Sequence, residues 1–299
     1  MSLVVVGSVA LDTVETATAR RDNALGGSAT YFSCAASYFT RPQIIAVVGE
    51  DFPDEGRAAL LSRGVDLSGL ETMSGKTFRW TGRYEEDVNL RSTLALELNV
   101  FEQFRPTLNE TAKNADFVFL ANIEPDLQLG ILDQTTSPKF VGMDTIDHWI
   151  DMERDKLVEA MPRIDAVIIN DGEARQLSGE RNLVKAAAVI QEWGCGTVLI
   201  KKGEHGCLLF DGDGMFAVPA YPVDTVLDPT GAGDTFAGGF MGALARFGCC
   251  TPGTLRRAVV YGTAMASFSV ESFSIDRLLG LTHDEIESRV DTIRKITAF

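Results

Sequence analysis

Short apolar runs rich in Val and Ile recur along the chain, separated by segments with a helical pattern. The runs are LVVVG at 3–7, IIAVVG at 44–49, DFVFLAN at 116–122, KFVGMD at 139–144, AVIIN at 166–170 and TVLIKKG at 197–203. Unbroken apolar runs of this length suit strands covered on both faces, as in a parallel sheet, because a strand with one wet face would alternate. The intervening DEGRAALLSRG (54–64), EARQLSG (173–179) and NLVKAAAVIQEWG (182–194) predict helices, the last closed by Gly194. Strand and helix in alternation predict an α/β fold: a doubly wound, mostly parallel sheet flanked by helices.

Two regions break this rhythm. Residues 204–222 carry Asp211-Gly212-Asp213-Gly214 between two apolar runs, which predicts a β-hairpin at the sheet edge. Residues 76–101 alternate aromatic or apolar with polar positions and lack a helix of their own, so they predict exposed strands of a small β lid, joined by residues 12–24. The final third is helical: a Gly- and Ala-rich segment at 232–247, one opened by Thr251-Pro252, and one opened by Thr282 with Glu285 as a capping box. No repeat or linker divides the chain, so the expectation is one domain over 1–299 with the lid inserted in it.

Composition narrows the chemistry. The 299 residues hold 27 Lys+Arg against 42 Asp+Glu, a formal charge of −15. Such acidity argues against nucleic acid or an anionic membrane as partner, and requires any phosphate-bearing ligand to be held by local devices. Cys34, Cys195, Cys207, Cys249 and Cys250 form no CxxC pair and the histidines are scattered, which predicts reduced thiols in a cytoplasmic protein and no zinc site. The apolar run in MSLVVVGSVALD is too short for a signal peptide or membrane span and reads as the first strand.

The most informative stretch is Asp228-Pro229-Thr230-Gly231-Ala232-Gly233-Asp234. Glycines on either side of Ala232 let the backbone turn tightly, so that Gly231, Ala232 and Gly233 present consecutive N–H groups at the positive end of the following helix. That is an anion hole. Between 224 and 245 there are three acids and no Lys or Arg, so backbone donors are expected to meet phosphate charge without side-chain cations. Asp234, on the first helical turn, could accept a proton from an attacking hydroxyl. Equally, it could stabilise the helix dipole in a glycine-rich packing segment. Asn170 and Glu173 close a buried strand and open a helix, where they suit hydrated Mg²⁺ or a simple helix cap.

In these residues the chain resembles the ribokinase-like, or PfkB-type, carbohydrate and nucleoside kinases. Their most specific signature is D-T-x-G-A-G-D, standing here as DPTGAGD with Pro229 in place of the usual Thr. Gly7 and Asp12 in GSVALD resemble that family's first strand and substrate-binding Asp, Gly26-Gly27 its di-glycine loop, Asn170 and Glu173 its N-x-x-E motif. Lys202-Gly203 with Gly206, in KKGEHG, resembles its nucleotide-side K-x-G-x-x-G segment. The resemblance implies a ribokinase-like fold and an ATP-dependent kinase that transfers the γ-phosphoryl group to a hydroxyl of a small sugar or related polyol. Asp234 would be its base, and Gly231, Ala232 and Gly233 its anion hole. Asp12, Gly26, Gly27 and Ser28, with Tyr31 and Arg91, would hold the acceptor. ATP would lie on Lys202, Gly203 and Gly206, with Mg²⁺ organised through water by Asn170 and Glu173, and Asp228 would help bind a monovalent cation such as K⁺.

Family members that phosphorylate ribosides typically carry an Asn a few residues after the di-glycine, where this chain reads Ser28-Ala29-Thr30-Tyr31. That departure tilts the expectation away from ribosides, since a site built for one hydroxyl pattern rejects others. The lid carries Arg79, Arg83, Asn89 and Arg91, which either meet the substrate or form a solvated face. Trp80, Trp149 and Trp193 read as packing. An exposed lid sheet can pair edge to edge in a homodimer. The alternatives are a nucleoside kinase of the same fold and a non-catalytic sugar or nucleotide sensor. An NAD-dependent oxidoreductase is disfavoured, because GAGDTFAG lies far from the first strand where a dinucleotide turn belongs.

Overall fold

The computed structural model describes residues 1–298 other than 86, 87 and 89. Its strands are β1 Leu3–Val6, β2 Ala10–Glu15, β3 Arg20–Gly26, β4 Pro42–Gly49, β5 Asp66–Met73, β6 Phe78–Tyr84, β7 Arg91–Glu97, β8 Phe117–Leu120, β9 Phe140–Met143, β10 Ala166–Asn170, β11 Thr197–Lys201, β12 Cys207–Asp211 and β13 Gly214–Val218. Its α-helices are α1 Ser28–Ala36, α2 Asp54–Ser62, α3 Glu110–Lys113, α4 Pro125–Leu132, α5 Asp147–Ala160, α6 Asp171–Ser178, α7 Leu183–Glu192, α8 Ala232–Phe247, α9 Pro252–Ser269, α10 Asp276–Leu279 and α11 His283–Thr297.

The apolar runs form a nine-stranded sheet in the order β13-β12-β11-β10-β9-β8-β1-β4-β5. From β11 to β5 every neighbouring pair is parallel, while the β12–β13 hairpin adds two antiparallel pairings at one edge. Successive strand residues point to opposite faces, and both faces are filled. In β1, Leu3 and Val5 join the layer of Phe32, Phe119 and Phe240, whereas Val4 and Val6 join Val118, Leu120 and Ile169 on the other side. The edge strand β5 carries no apolar run, and its residues are partly or fully exposed. An edge strand needs burial on fewer sides, which is why its sequence escapes the pattern that marks the inner strands.

The Gly-rich helix α8 lies against α1 and α9. A Cβ on Gly238 would stand 2.2 Å from the Phe32 carbonyl oxygen, so only glycine admits α1 this closely. A second, four-stranded sheet, called the lid below, has the order β3-β2-β6-β7 and is drawn from residues 10–26 and 78–97. Among the described residues no helix is long and apolar enough to cross a membrane.

Candidate active site

Parallel strands deliver their carboxyl ends to one edge of the sheet, and that is where the polar residues collect. β10 and β11 run in register with Asn170 beside Lys201. Asp144 directly follows β9, and α8 starts over the same edge with Gly231 as its N-cap. Neither Asp144 nor Lys201 stood out in the sequence. The available signal was that both end apolar runs, where open α/β sheets present ligand-binding groups.

Gly231 holds a left-handed φ of 73°, and a Cβ there would lie 2.3 Å from the Tyr31 ring. Both constraints demand glycine. The Ala232 N–H donates to the Pro229 carbonyl at 3.2 Å, so it closes the turn instead of joining the anion hole. No described residue accepts from the Gly231 or Gly233 N–H, and these remain as donors with the positive end of α8 behind them. The side-chain cation that the local sequence seemed to lack comes from the end of β11. The Lys201 ammonium stands 2.8 Å from where a Cβ on Gly233 would lie.

Four acids converge on this hole. Asp234 sits on the first turn of α8, and burial pushes its pKa up to about 6 despite the opposing charges of Lys201 and Arg91. Asp12, in β2 of the lid and 5% exposed, is pushed up to about 7 by burial, partly offset by a hydrogen bond from the Gly27 N–H and reinforced by the charges of Asp228 and Asp234. Asp144 is 5% exposed, its Oδ1 has no partner among the described residues, and burial with the Asp234 charge holds its carboxyl well above the usual range. Burial also raises Asp228, whose Oδ1 accepts from the Thr230 N–H at 2.9 Å. Carboxyls whose pKa values are raised together by burial and by one another's charge are characteristic of functional sites.

Residues 2–277 match the sequence model of the pfkB family of carbohydrate kinases. The chain belongs to that family. A cytidine kinase of Thermococcus kodakarensis is 32% identical over 253 residues, spanning 82% of this chain and 89% of that protein. The nucleoside kinase structure of Methanocaldococcus jannaschii superposes with a TM-score of 0.78 at 20% identity, covering 97% and 98% of the two chains. A putative ribokinase II of Escherichia coli, solved with ATP and Mg²⁺, gives 0.76 at 19% identity over 97% and 99%. Members of the pfkB family are phosphotransferases with alcohol acceptors, and this chain is a sugar or nucleoside kinase of that fold.

Of the two lysines in KKGEHG, Lys201 ends β11 and faces the GAGD turn, whereas Lys202 lies just past the strand as the N-cap of the short helical turn Gly203–His205. Ser28 is buried, with its Oγ accepting from the Ser8 N–H at 3.1 Å and its N–H donating to the Ser8 Oγ at 3.0 Å. Tyr31 is 2% exposed and supports Gly231 from below, so it braces the turn and does not present its ring to open space. Gly26 ends β3 against the Asp12 carboxylate, and Gly27 is the N-cap of α1. Gly203 lies in the short helical turn after β11, and Gly206 packs against the Val218 carbonyl of β13.

Asn170 and Glu173 form a capping box. The Glu173 N–H donates to Asn170 Oδ1 at 2.8 Å and the Asn170 N–H to Glu173 Oε2 at 2.7 Å. The cap and the metal reading coexist, because each side chain keeps lone pairs beyond these bonds. The oxygen-only donor set of Asn170, Glu173 and the orphaned Asp144 Oδ1 fits a hard cation such as Mg²⁺. No cluster of three acidic, His or Cys side chains among the described residues is tight enough to grip an ion alone, so waters and phosphates would complete its shell. In the lid, Arg79 pairs with Asp51 and Arg83 with Glu15, both on the outer side. Arg91 instead acts electrostatically on Asp234 and Glu173. Asn89 lies outside the described residues.

Proposed function

We propose that this protein transfers the terminal phosphoryl group of ATP to a hydroxyl of a nucleoside. The observation that carries the reading is the juxtaposition of Asp12 and Asp234, two buried carboxyls with values near neutrality, at the N-terminus of α8. In this reading Asp12 binds an acceptor hydroxyl, and Asp234 takes the proton of the attacking one. The Gly231 and Gly233 N–H groups and the Lys201 ammonium stabilise charge on the transferring group. Asn170, Glu173 and Asp144 would hold the Mg²⁺ through water. When bound, the ion neutralises phosphate charge and orients the chain of oxygens. Lid strands exclude water from the acceptor.

The nucleoside class is supported by the name of the cytidine kinase relative. Tyr31, which stands where riboside kinases of the family typically carry Asn, packs under Gly231. The hydroxyl contact such an Asn would make falls here to Asp12. Asp228 offers a buried carboxylate, 1% exposed, to a monovalent cation such as K⁺. The exposed edge strand β7 supports a homodimer through the lid. The test is a phosphorylation assay with Mg·ATP across cytidine, other nucleosides, ribose and hexoses. Turnover of a hexose with no nucleoside phosphorylated would overturn the substrate class.

A further inference from the structure

The lid strands register Asp12 of β2 opposite Trp80 of β6, and Trp80 opposite Leu96 of β7. Directly opposed residues share a face of a sheet. The face that carries Asp12 toward Asp234 therefore also carries Trp80. The same face carries Tyr84, whose hydroxyl accepts from Thr230 Oγ1 at 3.2 Å, and Arg91, paired with Tyr84 in the register.

Trp80 is fixed in place. A Cβ on Gly82 would lie 2.0 Å from Cη2 and 2.1 Å from Cζ2 of the indole, so the six-membered ring rests on the bare backbone of Gly82. Its Nε1–H donates to Thr93 Oγ1 at 3.1 Å, and the Arg91 guanidinium lies 5.6 Å from the ring centroid. Despite these anchors the side chain is only half-buried, and its register neighbour Leu96 is 57% exposed. A packing tryptophan would be covered on both faces. This one lies on Gly82, with the Arg91 guanidinium over its ring, and stays partly exposed on the sheet face that also bears Asp12.

We propose that Trp80 is the stacking platform for the planar base of the acceptor and selects nucleosides over base-free sugars. The assignment rests on the nucleoside-kinase reading above. It requires one rigid aromatic face near the sugar-binding Asp12, and Gly82 and Thr93 provide the pre-organisation. Stacking on an aromatic side chain tolerates different bases, so the selection is for a flat heteroaromatic ring and not for one base.

The experiment compares steady-state constants of the wild type, Trp80→Leu and Trp80→Phe for cytidine, a purine nucleoside and ribose. It adds the change in tryptophan fluorescence on titration with nucleoside. Trp80→Leu is expected to raise KM for nucleosides about 10- to 100-fold and to collapse the preference for nucleoside over ribose. Trp80→Phe recovers most of that preference. Nucleoside-induced quenching present in the wild type should be absent from Trp80→Phe. A Leu variant that keeps the nucleoside KM and preference overturns the platform, as does one whose only change is in oligomeric state. If the wild type phosphorylates ribose or a hexose and no nucleoside, the nucleoside reading itself fails and the platform fails with it. If Leu does not fold, the Phe variant's fluorescence and KM decide the matter alone.

Discussion

The Lys201 ammonium lies 2.8 Å from the position a Cβ would take on Gly233. A cation at the N-terminus of α8 faces the positive end of the helix dipole, an unfavourable arrangement unless negative charge lies between them. Asp234, Asp144 and Glu173, all of which feel Lys201, supply that charge within the protein. A phosphoryl group arriving between Lys201 and the Gly231 and Gly233 N–H groups would do the same, with the cation already in place. Lys201→Met is expected to lower kcat by about 100- to 1,000-fold, in the range of losing one preorganised donor. It should also move the acid limb of the rate profile to higher pH, because Asp234 loses the charge that pulls its pKa down. Initial-rate measurements across pH check both, and unchanged kcat with an unchanged limb would remove Lys201 from the chemistry.

With the roles proposed for Asp12 and Asp234, activity and stability are expected to respond to pH in opposite directions. Their folded values are about 7 and about 6, against 3.8 for the ordinary carboxyl. In the proposed roles both carboxylates act ionised, so kcat/KM is expected to fall below about pH 7. In the same window the folded chain holds protons that the unfolded chain has released, so acidification from about pH 7.5 to 5 should raise the thermal midpoint of the free protein. Asp144, Asp228 and Glu173, also raised by burial, add to that trend. Below about pH 4 the trend reverses, as Glu285, lowered to about 2 chiefly by Arg277, begins to lose its stabilising charge. Thermal melts against pH test the sign, and Asp12→Asn should flatten the rise between neutral pH and 5. Asp234→Asn should cost at least about 100-fold in turnover while leaving the protein folded.

Much of this was legible in the chain because it depends on local pattern. Unbroken Val/Ile runs mark strands buried on both faces, the Gly231 turn is written in its own residues, and the Thr282–Glu285 capping box forms as its spacing implies. What escaped notice depends on register between distant segments. Lys201 meets Gly233 because β11 ends level with the start of α8, and Trp80 shares a face with Asp12 because β6 pairs with β2 in one alignment and not its neighbour. A one-residue slip would turn either side chain away. Lys201 closes β11, while Lys202 of the same KKGEHG segment already belongs to the turn that follows.

Gly231 offers a sharper test of the turn than any charged residue. Its φ of 73° disfavours a side chain, and the Tyr31 ring occupies the space a Cβ needs. Gly231→Ala is expected to displace the turn and reduce turnover by about 100-fold or more, by misaligning the donors and Asp234 together. Tyr31→Phe keeps the ring and should leave the turn in place. A double variant, Gly231→Ala with Tyr31→Ala, should regain part of the loss because it removes the clash while the backbone strain persists. Near-wild-type kcat in Gly231→Ala alone would show that the backbone N–H groups there do not set the rate.

The lid ends in β7, where all seven residues are exposed and the outer backbone edge has no strand partner among the described residues. Leu90, Leu94, Leu96 and Leu98 are 59%, 46%, 57% and 39% exposed along this edge. Apolar edge strands are normally charged, shortened or covered, because an open ladder pairs with any strand that meets it. A second copy of the lid would supply a matching edge. The chain of 32.4 kDa should therefore sediment as a dimer, and Leu94→Lys with Leu98→Lys should shift it to monomer. Because the lid also bears Asp12, the monomeric variant should show a higher KM for the acceptor with its nucleotide KM little changed. Sedimentation of the wild type as a monomer at about 100 μM, a concentration at which even a micromolar dimer would assemble, would leave β7 without a partner of its own kind.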